Sequence, residues 1–184
     1  MELYKPFDFL SINECQELIQ YGKTHALFDS EIVNGGYDTV DKKSRKSKQC
    51  WLRDEKYNKK ILNLFKTFNK KLILDDPPQI AFYNPTDFFQ WHIDRVTFKR
   101  KHWFRWRDFE RVLSLSVELQ PARNSGIHFN YKKNPNIPRT HDHKPVTLKQ
   151  GQAIVFTSKD WHCATNTGKG QRISLVAWGC ALVK

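Results

Sequence analysis

Two segments carry apolar residues at helical spacing, and most of the remaining chain alternates with the period of strands. Ser11 followed by Glu14 is a capping-box signature, and the pattern predicts a helix from there to about His25. Its expected buried stripe is Ile12, Cys15, Leu18, Ile19 and Gly22. Tyr57, Ile61, Leu62, Leu64, Phe65 and Phe68 predict a second amphipathic helix within Asp54 to Lys71, with a lysine-rich outer face. Before it, residues 1 to 10 read as a leading strand and Phe28 to Val33 as another. Asn34, Gly35 and Gly36 form a turn signal, and Asp41 to Gln49 reads as a polar, basic loop. Asp75, Asp76, Pro77 and Pro78 mark the best internal boundary.

From Gln79 onward the period is two. Ile80, Phe82 and Tyr83 open a sheet, Asn84 to Asp87 is a turn, and Phe88 to Asp94 is a strand. In Val112 to Gln120, Leu115, Val117 and Leu119 share one face, and Ser114, Ser116, Glu118 and Gln120 the other. Either face of that strand can be the inner one. Further strands are predicted over Gly126 to Tyr131, Pro145 to Leu148, Ala153 to Thr157 and Arg172 to Leu182. Turns fall at Asn124 to Gly126, Gln150 to Gln152 and Thr167 to Gly170. There is no internal repeat. The expectation is one domain over residues 1–184, α+β and mainly β, with a helical support region over 1–78 and a β core over 79–184.

In a strand, residues i and i+2 project to the same face. His92 and Asp94 therefore present an imidazole and a carboxylate together, and His162 is the candidate for a second imidazole from a neighbouring strand. Two histidines and one carboxylate form the facial triad that suits non-haem Fe(II) and leaves coordination positions open. Arg172, Ser174, Val176 and Trp178 share one face of the last strand. A guanidinium fork beside a hydroxyl suits a carboxylate, which Arg binds bidentately. Each piece is common alone. A His-x-Asp triplet, a distal His and an Arg-x-Ser ten residues beyond it form a far more specific combination. His141, Asp142 and His143 make a rival cluster, but they lie in a Pro-rich loop, a poor rigid platform, and read as a surface group.

On Tyr83, His92, Asp94, His162, Arg172, Ser174 and Trp178 the chain resembles the iron- and 2-oxoglutarate-dependent dioxygenases, in particular their prolyl 4-hydroxylase-like branch. The helix opening at Ser11 and the segment from Ser44 to Ser47 with Trp51 and Leu52 also resemble that branch, in which the Asp41 to Gln49 region borders the pocket. The turn at Ser125 and Gly126 departs from the Gly-Gly usual there. The resemblance implies a double-stranded β-helix, or jelly roll, with supporting N-terminal helices. It implies Fe(II) on His92, Asp94 and His162, with Arg172, Ser174, Tyr83 and Trp178 around the 2-oxoglutarate. O2 is the third participant, and ascorbate binding accompanies the branch. The implied reaction couples decarboxylation of 2-oxoglutarate to hydroxylation of a C–H bond, first of a prolyl residue in a protein or peptide. The alternative within this chemistry is oxidation or demethylation of a nucleic-acid base. Demethylases of the superfamily usually carry a second arginine where Trp178 stands, which counts against it. A jelly-roll module binding a metal or anion without oxygen chemistry, cupin-like, is the alternative from another class.

Composition adds three constraints. Lys and Arg number 31 against 19 acidic residues, a net charge of +12, which favours nucleic acid, ribosomes or acidic peptides as neighbours. Lysine pairs such as Lys42 and Lys43 also fit simple solvated faces. Seven of the seventeen residues from Arg95 to Arg111 are basic and five are Phe or Trp, so this stretch reads as a loop at the mouth of the site, either a substrate lid or a nucleic-acid contact. The four cysteines are scattered without a CxxC, which suits free thiols in a reducing compartment. No apolar run approaches the about 20 residues that cross a bilayer, and the N-terminus lacks signal-peptide character, so the expectation is a cytoplasmic protein without a membrane partner.

Overall fold

The computed structural model describes residues 2–25, 27–34, 37–75, 77–102, 105–130 and 146–183. In chain order they form β1 (Phe7–Asp8), α1 (Ile12–Thr24), β2 (Phe28–Asp29), β3 (Ile32–Asn34), β4 (Tyr37–Thr39), β5 (Arg45–Lys46), β6 (Lys48–Trp51) and α2 (Glu55–Phe68). There follow β7 (Ile73–Leu74), β8 (Gln79–Tyr83), β9 (Phe88–His92), β10 (Thr97–His102), β11 (Arg105–Gln120), β12 (Ser125–Phe129), β13 (Gln152–Thr157), β14 (His162–Asn166) and β15 (Arg172–Leu182).

The larger sheet runs β1-β13-β11-β15-β8-β6-β2, with β10 on β11 and β7 on β15. The smaller runs β12-β14-β9-β5, and β3 pairs with β4 alone. Both sheets are antiparallel, and together they form the double-stranded β-helix.

Alternation on the central strands sorts their side chains between two interiors. Leu115, Val117 and Leu119 of β11 and Ile173, Leu175 and Ala177 of β15 join Cys15, Leu18, Ile61 and Phe65 of the helices in the main core. The residues between them, Ser114, Ser116, Glu118, Arg172, Ser174 and Trp178, are buried too, on the face away from that core. On β13, Ala153 and Val155 join the main core, while Ile154 and Phe156 pack with Ile127, Phe129 and Leu148 in a second one. A one-residue slip of β15 would put Arg172 under the helices and Ile173 among the polar groups, so the register is strongly specified.

Ser11 caps α1 with the full box: the Glu14 N–H donates to Ser11 Oγ and the Ser11 N–H to Glu14 Oε2. Cys15, Leu18, Ile19 and Gly22 form the buried stripe, but Ile12, at the margin of that stripe and in the first turn, is 59% exposed. Asp54 caps α2, which buries Tyr57, Ile61, Leu64 and Phe65.

Several expected loops are strands. Within Asp41 to Gln49, β5 and the start of β6 alternate, with Arg45, Ser47 and Gln49 buried and Lys46 and Lys48 exposed. The buried face is polar: Ser47 donates to Ser30, and Arg45 to the Glu31 carbonyl. Arg95 to Arg111 contains a hairpin, with β10 paired to the first part of β11 from Thr97 with Glu110 to His102 with Arg105. The leading strand is reduced to β1, Phe28 to Val33 is divided between β2 and β3, and β9 stops at His92 rather than at Asp94. Of Pro145 to Leu148, Val146 forms a single bridge to Ile127. His141, Asp142 and His143, and Gly35 and Gly36 of the expected turn, lie outside the described residues. Among those described, no helix is long and apolar enough to cross a membrane.

Candidate metal and anion site

His92 closes β9 and His162 opens β14, and the two are direct cross-strand partners. Cross-strand pairing puts both imidazoles on one face of the smaller sheet, with ring centroids 4.1 Å apart. Asp94 sits two residues past the end of β9. The backbone N–H groups of Asp94 and Arg95 both donate to the Ser158 carbonyl, which turns the chain and carries the carboxylate inward. Asp94 is buried while Ile93 faces out at 39% exposure.

The carboxylate lies between the rings. Oδ1 is 3.4 Å from His92 Nε2, and Oδ2 is 3.4 Å from His162 Nε2. Each ring's Nδ1 faces a backbone carbonyl, that of Gln90 at 2.7 Å and that of Asp160 at 2.9 Å. A carbonyl only accepts, so both Nδ1 atoms carry hydrogen, and in the neutral rings both Nε2 lone pairs face Asp94. Three acceptors thus converge, their atoms all within 4.8 Å of one another. Facial ligands about 2.1 Å from a shared ion lie about 3 Å apart, close to what is seen here. The donor set, two imidazoles and a carboxylate with no protein donor between them, fits a divalent cation such as Fe(II).

Ser114 on β11 holds Asp94 from behind. Its hydroxyl donates to Oδ2 at 2.7 Å, and Ser158 Oγ lies 2.9 Å from Ser114 Oγ. Burial acts to raise the Asp94 carboxyl, but the imidazoles, His162 foremost, outweigh it and hold it well below the usual range. Burial and then the neighbouring His162 push His92 down to about 4. Burial also opposes charge on His162, yet Asp94 wins and raises it. Cys163 follows His162 but is no donor: it is buried, and burial pushes its thiol up to about 12.

Across from the triad, on the larger sheet, stands Arg172, 2% exposed. Its guanidinium lies 5.5 Å from the centroid of the Tyr83 ring. Tyr83, His92, Asp94, His162, Arg172, Ser174 and Trp178 all line one cavity between the sheets, so the seven residues singled out in the sequence converge on one space. The free volume is about 40 Å³, room for a few waters. A second opening, of about 580 Å³, shares Arg45, Phe89, His92, Asp94 and Trp178 with it and leads to the surface past Gln90, Ile93 and Thr97. Another groove, of about 860 Å³ between α2 and β10, contains none of the triad.

Four polar residues here were not singled out as site residues. Ser114 and Ser158 support Asp94, Arg45 lies 4.6 Å over the Phe89 ring, and Glu118 pairs with Arg172 at 3.0 Å. Ser114 and Glu118 lie on the polar face of β11, which the alternation marks without saying which way it points.

Residues 78–179 match the family model of the 2OG-Fe(II) oxygenase superfamily. No curated protein matches the sequence. Among solved structures, the fold is similar to the viral collagen prolyl hydroxylase vCPH from Paramecium Bursaria Chlorella virus-1 in its 2OG complex. The TM-score is 0.67 at 20% identity, covering 98% of this chain and 97% of that one. It is also similar to a Pseudomonas putida prolyl-4-hydroxylase, with TM-score 0.66, 17% identity and coverage of 95% and 90%. A third is a prolyl hydroxylase from Trichoplax adhaerens in complex with a hypoxia inducible factor peptide fragment, with TM-score 0.56, 15% identity and coverage of 95% and 82%. At these identities the likeness concerns the fold, but the family model spans more than half of the chain, and the chain belongs to the 2OG-Fe(II) oxygenase superfamily.

Proposed function

We propose that His92, Asp94 and His162 bind Fe(II), that Arg172 with Ser174, Tyr83 and Trp178 receives 2-oxoglutarate, and that the protein hydroxylates a prolyl residue in a protein or peptide. The observation that carries the reading is the convergence of three acceptor atoms and a buried guanidinium on one cavity. When bound, iron with 2-oxoglutarate and O2 supplies the oxidative chemistry that side chains lack. The chain supplies position. The Gln90 and Asp160 carbonyls fix the Nδ1 hydrogens and so aim both Nε2 atoms inward. Ser114 fixes the Asp94 carboxylate. Arg172 offers a charge-assisted fork to a far carboxylate, and Phe89, Phe156 and Trp178 line the cavity and limit water.

The peptide reading draws on the opening over His92 and Asp94, walled by residues from the β5 and β9 region and by Arg95, Val96 and Thr97. It also draws on the prolyl hydroxylases among the structural neighbours. Nucleic acid has in its favour the net charge and the basic, aromatic stretch from Arg95 to Arg111, and against it Trp178 in place of a second arginine.

Anaerobic Fe(II) and 2-oxoglutarate should together give a weak visible charge-transfer band. Asp94→Ala should abolish it, and Arg172→Ala should restore it only at much higher 2-oxoglutarate. No band from the unaltered protein would favour the cupin-like alternative. Succinate release screened over proline peptides, free amino acids and oligonucleotides tests the substrate. Turnover with oligonucleotides and none with proline peptides would refute the prolyl assignment.

A further inference from the structure

Besides Asp94, a second carboxylate is buried next to the cavity, and the mechanism above leaves it without a role. Glu118 on β11 is 2% exposed and faces Arg172 on β15. Arg172 Nε and one terminal nitrogen both reach Glu118 Oε2, at 3.1 and 3.0 Å. Glu118 Oε1 makes no hydrogen bond to any described residue. Tyr83 on β8 lies by the guanidinium, Ser174 is the cross-strand partner on β15, and the loop before β13 meets the Glu118 carbonyl through the Gly151 N–H. Among the described residues, Arg172 is the one charged group that faces this carboxylate.

We infer that Glu118 sets the charge of the cosubstrate pocket: it takes up a proton when the far carboxylate of the 2-oxo acid arrives at Arg172. The inference rests on the reading of Arg172 as the carboxylate anchor. With Glu118 ionised, two carboxylates would share the one buried Arg172 guanidinium; Arg45, the other guanidinium lining the cavity, is held by the Ser47 hydroxyl and the Glu31 carbonyl and not by Glu118. A proton from solvent on Oε1, the unpartnered oxygen, removes one of the two negative charges at Arg172 and turns that oxygen from an acceptor into a donor. Burial already acts on Glu118 to raise its pKa, and Arg172 opposes this without cancelling it.

The sign follows. Binding that takes up a proton weakens as pH rises above the pKa of Glu118 in the free protein, by up to about tenfold per pH unit. The test is anaerobic calorimetry of 2-oxoglutarate binding to the Fe(II)-loaded protein in buffers of different ionisation enthalpy. A 2-oxo acid without a far carboxylate, 2-oxobutanoate, serves as control, because it meets the metal end alone. The expected result is uptake approaching one proton for 2-oxoglutarate and none for 2-oxobutanoate. Glu118→Gln should abolish the uptake, flatten the pH dependence, and bind 2-oxoglutarate at least about tenfold more tightly one pH unit above that pKa. Equal proton counts for the two acids would overturn the inference on the unaltered protein alone, whatever the variant's stability. Unchanged uptake in a folded Glu118→Gln protein would do the same. If 2-oxoglutarate does not bind better than 2-oxobutanoate at any pH, the anchor role of Arg172 falls, and this inference with it.

Discussion

At the scale of single residues, the site depends on how Asp94 is held. It lies beyond the end of β9, so strand geometry does not fix it. Two backbone N–H groups on the Ser158 carbonyl and one hydroxyl from Ser114 do. Since an ionised carboxylate only accepts, the Ser114 proton points at Asp94, and Ser158 completes the relay by donating to Ser114. Ser114→Ala removes the donor and leaves Ser158 without its acceptor. Loss of such a supporting contact typically costs about 10–100-fold in metal affinity. The expectation is a weakening of Fe(II) binding in that range with little change in 2-oxoglutarate binding once the metal is saturating, read by metal titration and the visible band. His92, Asp94, His162 and Arg172 were legible because imidazole, carboxylate and guanidinium at set spacings are rare in combination. Ser114 and Glu118 were not. They alternate with leucines and a valine in a strand whose two faces are both buried, so the pattern showed two faces without telling which held the site.

At the scale of elements, α1 docks by a close approach at Gly22. A Cβ there would stand 2.5 Å from Phe82 Cζ and 3.3 Å from Ile80 Cγ2. Gly22→Ala gains about 1 kcal/mol of helix propensity. Against that, overpacking costs about 1–3 kcal/mol, and Phe82, 2% exposed, has no open side to turn to. The clash should win, with a net loss of about 1 kcal/mol in urea denaturation, whereas the same change at an exposed helical site would stabilise. Both helices were legible from their spacing, and α1 from its capping box as well. The β10–β11 hairpin was not, for a physical reason: at its outer part Arg105, Trp106, Arg107 and Asp108 are exposed on both faces, so no apolar alternation exists to be read. Arg100 stands directly opposite Arg107, a like-charge pair that propensity alone would not have placed on adjoining strands. β5 and β6 were hidden differently, because their buried face is made of Arg45, Ser47 and Gln49.

At the scale of the whole molecule, the two sheets meet across the site. His92 and His162 come from the smaller sheet, and Arg172 from the larger. The N-terminal part is woven into the same sheet, with β1 on β13 and β6 on β8, so helices, core strands and site share one set of contacts. The mainly β class followed from period two; the pairing of β9 with β14 and the contribution of β5 to the walls did not, since pairing over long separations leaves no local trace. Ligands that bridge the sheets favour the folded state as a whole. Each ligand at about 100 times its dissociation constant adds about 2.7 kcal/mol. For a domain of this size, each kcal/mol moves the melting temperature by about 2–4 °C. Anaerobic calorimetry should therefore show a rise of roughly 5–10 °C with Fe(II), and a further rise of that order with 2-oxoglutarate. Asp94→Ala should lose both increments, because the cosubstrate needs the metal for its keto-acid end. Arg172→Ala should keep the first and lose most of the second. A metal increment that survives in Asp94→Ala would place the ion elsewhere, and a cosubstrate increment that survives in Arg172→Ala would move the carboxylate anchor to another residue.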